Sequence, residues 1–384
     1  MIFFALGFRP FFLGAGLYAA IAGVLWLLVW GGLLDPGLPL VPAYWHAHEM
    51  LFGFAAAGLT GFLLTAVPGW TDTGPVRGRR LVLLFALWLA ARILAWTLPG
   101  PIFSIVDVLF LPALIAFVAP GILARNARRN GVIVLVLALL TLANVAFHAE
   151  ASGFLEHGAR WGLYLALDVF VLLLTLIGGR VVPAFTTGGM RMAGAPVAIA
   201  PIIWLDRASI LSAAGIVAVE ALIGQGGALA LVAGLAAALN GARFLRWQGW
   251  RTGRVPLVWV LHLGYGWLVL GLALKALAAI DLLVPTIAVH ALTAGAVGTM
   301  ILAVMSRASL GHTARKLEAD RLTTLAYVLV TLGALLRVAG PWALPAQAVE
   351  GIFMAGLLWA SGFALFSIRY WPILTRPRAD GRPG

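Results

Sequence analysis

Apolar runs of about twenty residues recur from one end of the chain to the other, and this pattern limits the possible folds more than any other feature. A helix of that length crosses the hydrocarbon core of a bilayer. Charged residues make up only 10% of the chain, and its mean hydropathy is +1.01. Soluble domains carry about a quarter charged residues. The sequence therefore predicts an all-α polytopic membrane protein.

Breaks between the runs divide the chain into about twelve predicted transmembrane helices. Their approximate limits are 10–33, 44–67, 80–97, 101–124, 131–150, 159–180, 206–223, 226–246, 255–278, 284–306, 321–339 and 346–370. Pro196 and Pro201 interrupt an apolar stretch at 190–206, which we interpret as a loop or a re-entrant segment. We expect a single membrane domain over 1–384, in which 373–384 forms a cytoplasmic tail.

Basic residues follow every second predicted span, and this alternation predicts the orientation of the chain. Of the 26 Lys and Arg residues, only Arg92, Arg160, Lys275 and Arg337 fall on the opposite side, so 26 − 4 = 22 share one face. The positive-inside rule makes that face cytoplasmic and places both termini there, which requires an even number of spans. The net charge of +12 then reflects topology, and no nucleic-acid partner is expected.

The chain also repeats itself weakly. Arg92 follows His48, and Arg337 follows His290, at about 45 residues in each case. The sixth span ends in a Val-Val-Pro sequence at 181–183 that echoes Ala-Val-Pro at 66–68 after the second. Since the second, sixth and tenth spans are four apart, we expect three four-helix units, 1–129, 130–254 and 255–372, around a pseudo-threefold axis. Chance similarity between apolar helices is the alternative.

The predicted topology brings histidines from distant parts of the sequence to one depth. His46, His48, His148 and His290 all fall near the external face, where ionisable residues inside a membrane usually have a function. Neutral imidazole is a ligand for both haem iron and copper. The chain has no cysteine, which excludes thiolate ligands, iron–sulfur clusters and covalent haem attachment. The sequence therefore predicts haem b, together with copper.

Three histidines are less informative. His157 lies in a polar loop, where a solvated side chain is the simplest interpretation. His262, early in the ninth span, either hydrogen-bonds within the bundle or serves a second metal site. His312 follows the tenth span and has the surroundings of a loop residue or of a side chain at a helix end.

The spacing of the first two histidines predicts two separate roles. Residues two apart on an α-helix point about 200° away from each other, so His46 and His48 should face different sites. Glu49 lies three residues after His46 and should share its face. We therefore predict that His46 and Glu49 serve a copper or proton-handling site, and that His48 is an axial haem ligand.

Arginines in membrane spans require anionic partners. Haem propionates would explain Arg92 and Arg337, whereas Asp107 and Glu350 are alternative partners at the same depth. Asp168 lies in the middle of the sixth span. It is either a proton relay or a hydrogen-bonded structural carboxylate.

Five sequence segments together resemble the NnrS family. The segments are 8–12, 45–54, 61–68, 290–293 and 309–313, and the resemblance extends over nearly the whole chain. It implies a bacterial inner-membrane protein that carries haem and copper and takes part in denitrification and the response to nitric oxide. The family histidines correspond to His46, His48, His290 and His312, with His148 and His262 at less similar positions.

A more distant similarity connects the chain with the haem–copper oxidase superfamily, which also has twelve helices with pseudo-threefold symmetry. That similarity implies that His48 and His290 hold one haem and that His46 faces a second centre. The chain departs from the superfamily pattern because its sixth span has no intramembrane histidine.

These observations predict an enzyme that reduces nitric oxide to nitrous oxide, with Glu49 as the proton donor and quinol or a periplasmic protein as the electron donor. Two other functions remain open at this stage. One is a non-enzymatic haem protein that binds nitric oxide and protects other iron centres. The other is a transporter of haem, copper or a small solute.

Overall fold

The computed structural model describes residues 2–343 and 345–382, with the side chains of 125–129 excluded. Within these residues all regular structure is helical and no strand is present, which confirms the predicted all-α class. The basic side chains of Arg125, Arg128 and Arg129, which helped to predict the topology, lie outside the described residues.

The helices follow one another through the described residues with short connections. They are α1 (Phe8–Trp30), α2 (Pro42–His48), α3 (Ala56–Thr71), α4 (Arg79–Thr97), α5 (Pro101–Ala151), α6 (Gly158–Leu173), α7 (Gly179–Met192), α8 (Ile203–Leu222), α9 (Gly227–Arg246), α10 (Pro256–Ala278), α11 (Pro285–His290), α12 (Gly298–His312), α13 (Arg321–Ala343) and α14 (Ala348–Thr375). Short 3₁₀ turns are found at Ile2–Phe4, Gly249–Arg251 and Pro345–Gln347.

Three π-helical segments interrupt long membrane spans. Glu49–Ala55 joins α2 to α3, Leu174–Gly178 joins α6 to α7, and Ala291–Val297 joins α11 to α12. The affected helices are the second, sixth and tenth predicted spans, the same three that the weak sequence repeat relates. Segments of π-helix are rare and often lie at functional sites. Their recurrence supports the division into three four-helix units, which stays a prediction.

Eleven helices in the described part of the chain are long and apolar enough to cross a membrane. The helix α8 has 20 residues and is not among these eleven, because it carries the three charged residues Asp206, Arg207 and Glu220. Asp206 pairs with Arg243 of α9 at 3.0 Å, and Glu220 pairs with Lys275 of α10. The eleven spans and α8 together agree with the predicted number of about twelve. No helix covers 193–202, which confirms the break predicted around Pro196 and Pro201.

The helix α5 contains two membrane spans, Pro101–Ala124 and Asn130–Ala151. Asp107 in the first span lies 3.0 Å from His148 in the second, although 41 residues separate them. A straight helix would place residues that far apart in sequence at a distance of about 60 Å. The two spans therefore lie side by side and antiparallel, as the predicted fourth and fifth spans require.

The described chain forms two compact units. The first, unit 1, comprises Met1–Ala166, Ala308–Lys316 and Ser367–Gly384. In it, the buried Arg9 guanidinium donates hydrogen bonds to the Leu374 and Arg376 carbonyls at 2.9 and 2.8 Å. Phe11 packs against Phe85 and Trp88 of α4. The segment 8–12, one of those that resemble the NnrS family, thus connects the first helix, α1, with the end of the last helix, α14.

The second, unit 2, comprises Leu167–Arg307 and Leu317–Phe366. Its α10 packs against α9 and against the π-helical segment Ala291–Val297, and α9 also packs against α8. The helix α13 covers α11 and the same π-helical segment. Unit 2 therefore surrounds the start of the predicted tenth span, which includes the predicted ligand His290.

Candidate functional site

A cluster of polar side chains is buried among five membrane spans of unit 1. We call it the His48 cluster and define it as Tyr18, His48, Glu49, Arg92, Asp107, Asn144 and His148. The α2 helix ends at His48, and the first π-helical segment begins at Glu49, so both side chains enter the interior at the change of helix type. The exposed fraction of each is 0%. A buried polar group is tolerated only if it is hydrogen-bonded or paired.

The Arg92 guanidinium links two carboxylates. Its Nη1 lies 2.6 Å from Glu49 Oε2, and its Nη2 contacts Asp107 Oδ1. The hydroxyl of Tyr18 donates a second hydrogen bond to Glu49 Oε2. The partner of Arg92 is thus Asp107, which the sequence left as an alternative to a haem propionate, together with Glu49. A role of Arg92 in binding a propionate stays a prediction.

The second span of α5 contributes Asn144 and His148, four residues apart on one helical face. The Asn144 amide nitrogen donates to Asp107 Oδ2 at 2.8 Å. The Nε2 atom of His148 lies 3.0 Å from the same carboxylate oxygen. Asp107, in the first span of α5, therefore contacts the second span of α5, α4 and His48 of α2, which makes it the centre of the cluster.

The imidazole of His48 has an oxygen at each ring nitrogen. Its Nδ1 lies 2.9 Å from Glu49 Oε1, and its Nε2 lies 2.9 Å from Asn144 Oδ1 and 3.2 Å from Asp107 Oδ2. Phe147 stacks on the ring at 4.2 Å between centroids. Each ring nitrogen thus faces an oxygen that can accept a hydrogen bond, and the Arg92 guanidinium balances the charge of one of the two carboxylates.

Three members of the cluster can hold a metal ion. One ligand atom from each of His48, Asp107 and His148 lies within 4.8 Å of the other two, and all three residues are buried. Two imidazoles and one carboxylate are a ligand set that suits copper, zinc or iron. Nδ1 of His148 has no hydrogen-bond partner among the described residues. The group can therefore bind a metal after small side-chain movements.

His46 and His48 have different neighbours, as their spacing predicts. The His46 ring stacks on Trp26 of α1 at 4.4 Å between centroids, with an angle of 14° between the planes. Glu49 also contacts α1, through Tyr18, whereas His48 faces α5. His46 and Glu49 thus both contact α1, but Glu49 belongs to the His48 cluster, and the shared site predicted for His46 and Glu49 stays a prediction. The hydrogen bond from His48 to the other oxygen of Glu49 was not predicted.

His290 in unit 2 has the geometry of a metal ligand. Its Nδ1 lies 2.7 Å from the Thr286 carbonyl, and since a carbonyl only accepts, Nδ1 carries the proton. The lone pair is then on Nε2, which is how ligating histidines are commonly held. Arg337 is close enough to act electrostatically on His290, and it makes no ion pair within the described part of the chain.

The two remaining predicted histidines have other contacts. His262 Nε2 lies 2.8 Å from the hydroxyl of Thr186, which itself donates to the Val182 carbonyl. This contact agrees with the first of the two interpretations of His262, a hydrogen bond within the helix bundle. His312 ends α12 in unit 1, where its ring lies 5.5 Å from that of Phe8. The predicted metal-binding roles of His262 and His312 remain untested predictions.

A second buried charge cluster lies in unit 2. Lys275 Nζ is 2.6 Å from Asp168 Oδ1, and it also contacts Glu220 Oε2. The three side chains come from α10, α6 and α8, so the cluster joins three helices. This arrangement explains the carboxylate in the middle of the sixth span as an ion-paired group.

Sequence reasoning did not assign Tyr18, Asp107 or Asn144 to the site. A signal was available for two of them: Asp107 and Asn144 are isolated polar residues in apolar spans, and Asn144 precedes His148 by one helical turn. Nothing distinguishes Tyr18 in the sequence from other tyrosines in membrane helices.

Comparison with known proteins gives the family. No curated protein matches the chain significantly. A family model described as NnrS protein matches residues 2–378, nearly all of the 384 residues. The chain is therefore a multi-pass membrane protein that belongs to the NnrS family.

Proposed function

We propose that this protein reduces nitric oxide to nitrous oxide at metal centres in a bacterial inner membrane. The observation that carries the proposal is the buried group of His48, Asp107 and His148, found in a chain of this family. Two molecules of nitric oxide, two electrons and two protons give one nitrous oxide and one water. A quinol or a periplasmic protein supplies the electrons, and a bound redox metal would accept them.

Charge balance favours copper at the His48 cluster. A metal ion held by His48 would take the place of any proton on Nε2, because only the deprotonated nitrogen is a ligand. Glu49 and Asp107 then contribute −2, and Arg92 contributes +1. A cuprous ion makes the sum zero, whereas a divalent ion leaves +1. Since net charge in a membrane interior is unfavourable, the cluster suits a monovalent redox ion, the cuprous state of copper.

The structure supports a haem ligand better at His290 than at His48. A haem on His48 Nε2 would have to displace both Asn144 and Asp107, which contact that nitrogen, whereas a single copper ion would keep Asp107 as a ligand. His290 already carries its proton on Nδ1, and Arg337 nearby provides a positive charge for a propionate. We therefore propose His290 and Arg337 as residues that hold haem b, and the His48 cluster as the copper site.

The surroundings of Glu49 suit the handling of protons. One of its oxygens accepts from Tyr18 and Arg92, and the other contacts His48. Proton transfer requires such a positioned carboxyl within hydrogen-bonding distance of its partners. Glu49 is thus the proposed proton donor, and Tyr18 and Arg92 position it.

The decisive experiment compares three forms of the purified protein. Reduced protein is mixed with nitric oxide without oxygen, and the gas is analysed for nitrous oxide. The native chain should produce nitrous oxide, whereas His148→Ala should not. Copper affinity of His148→Ala should fall on the order of a hundredfold, because one of three ligands is lost.

The matched control is His157→Asn, a change at an exposed loop histidine with positive φ that asparagine also adopts. This variant should keep both copper and activity. If His148→Ala binds copper as tightly as the control, the metal site is misassigned. If the native protein, loaded with both cofactors, produces no nitrous oxide, the proposed reaction is wrong.

Replacement of His290 tests the proposed haem site. The optical spectrum of His290→Ala should lose the haem absorbance, or shift it, because the axial nitrogen is absent. Arg337→Leu should retain the haem ligand but bind haem more weakly, since a propionate loses its cation. His157→Asn again serves as the control. Native spectra for both variants would exclude this site.

A second candidate function is the non-enzymatic binding of nitric oxide. The close packing of the His48 cluster favours it, because His48 and Glu49 are 0% exposed and Asp107 is 3% exposed. Such burial suits the binding of a small diatomic molecule better than contact with a large electron-donating partner. Tight binding of nitric oxide without gas production would support this function over reduction.

A further inference from the structure

A groove in unit 1 combines apolar walls with a basic rim. It has a volume of about 630 Å³. Its walls come from the last turns of α3 and from the Pro101–Ala124 span of α5, and its rim comes from the loop before α4 and from the start of α4. Both wall helices approach the end of their membrane spans here. The groove therefore lies at the interface between the hydrocarbon core of the bilayer and the lipid headgroups.

Three arginines supply the charge of the rim. Arg77, Arg79 and Arg80 line the groove, and no acidic residue is among its lining residues. None of the three makes an ion pair within the described part of the chain. Gly78, between them, has a φ of +63° and donates its N–H to the Phe4 carbonyl at 3.0 Å. This turn, which glycine readily adopts, fixes the loop that presents the arginines.

The walls are apolar where a lipid chain would lie. Leu64, Val67 and Phe117 line the groove below the arginines in the two wall helices. A free phosphate would need the guanidinium groups but not these side chains. An anionic phospholipid uses both, since arginine binds phosphate oxygens and the acyl chains contact the apolar walls.

We propose that this groove is a binding site for an anionic phospholipid, with the phosphate held by Arg77, Arg79 and Arg80. Basic pockets between transmembrane helices bind anionic lipid headgroups on the cytoplasmic side of membranes, which is where the predicted topology places this rim. The site is separate from the His48 cluster. Its test is therefore independent of the proposed reduction of nitric oxide.

The experiment uses the full-length protein in nanodiscs of phosphatidylcholine, with and without phosphatidylglycerol. After extraction into detergent, native mass spectrometry counts the retained lipids. The native protein should retain phosphatidylglycerol selectively. The triple variant R77Q/R79Q/R80Q should bind it roughly a hundredfold more weakly, from the contribution of three basic residues near a membrane surface.

The matched control is R191Q/R251Q/R254Q, which removes three exposed arginines that are predicted on the same membrane face. It should retain the lipid. Equal loss in both triple variants would show general attraction to the surface and overturn the proposal, as would equal retention of phosphatidylcholine by the native protein. Displacement of the lipid by inorganic phosphate at the same concentration would identify a site for the free anion instead.

A further variant tests the apolar wall without changing the charge. Ala116 lines the groove and is exposed, so Ala116→Trp should fill part of the groove and leave the fold intact. Retention of phosphatidylglycerol by this variant should fall in parallel with that of the triple arginine variant. Native retention by Ala116→Trp would contradict a lipid lying between the helices.

Discussion

Arg92→Met is expected to destabilise unit 1 by about 3–5 kcal/mol, the usual consequence of removing one partner from a buried ion pair. The variant leaves Glu49 and Asp107 without the guanidinium that both contact. Methionine retains most of the volume, so packing changes little. The measurement is the midpoint of thermal unfolding in detergent, followed by tryptophan fluorescence, together with the yield of monodisperse protein.

Two further variants separate charge from other effects. Arg160→Met removes an exposed arginine and should leave the midpoint unchanged. Arg92→Met combined with Glu49→Gln should recover part of the lost stability, because one unpaired carboxylate is neutralised. A midpoint for Arg92→Met equal to that of Arg160→Met would show that the two ion pairs contribute little. In that case Arg92 would be available for another partner, such as a propionate.

The spans could be predicted from sequence because hydrophobic runs are a local property. The limits were close: the second span was predicted to begin at 44, and its helix begins at Pro42. The helix α8 shows the limit of this local property. Its charged side chains pair with residues on α9 and α10, and these contacts between helices cannot be predicted from the hydropathy of a single segment.

The depth of the candidate ligands was also predictable, but their contacts were not. Topology alone brought His48 and His148 to one layer, and their rings lie 5.2 Å apart. Which faces of the helices meet depends on packing among several spans. For this reason Asp107 was considered only as a partner of Arg92, although it contacts His48, Asn144 and His148 as well.

The π-helical segments could not be anticipated from sequence. They widen the helix directly after His48 and after His290, the two histidines that the weak repeat had related. A change in the number of residues per turn shifts every later side chain around the helix axis. The side of a helix on which a residue lies can therefore be predicted from 3.6 residues per turn up to these segments. Beyond them the same rule places residues on the wrong side more often.

Lys275→Met should destabilise unit 2 as strongly as Arg92→Met destabilises unit 1, by about 3–5 kcal/mol. Lys275 contacts Asp168 and Glu220, and these side chains are only 1% and 7% exposed. Without the ammonium, two carboxylates face each other in an environment of low polarity, where their repulsion is weakly screened. The measurement is again the midpoint of thermal unfolding in detergent.

The charges of this cluster predict the order of a series of variants. Lys275 can balance the charge of only one of the two carboxylates, so Asp168→Asn should be neutral or stabilising. Lys275→Met removes the positive charge of the cluster and should be the least stable. The triple variant Lys275→Met, Asp168→Asn and Glu220→Gln carries no charge and should recover most of the stability, because neutral replacements of a buried ion pair are often tolerated. An Asp168→Asn protein as unstable as Lys275→Met would contradict the charge argument. It would show instead that Asp168 is needed as a hydrogen-bonding group of fixed shape.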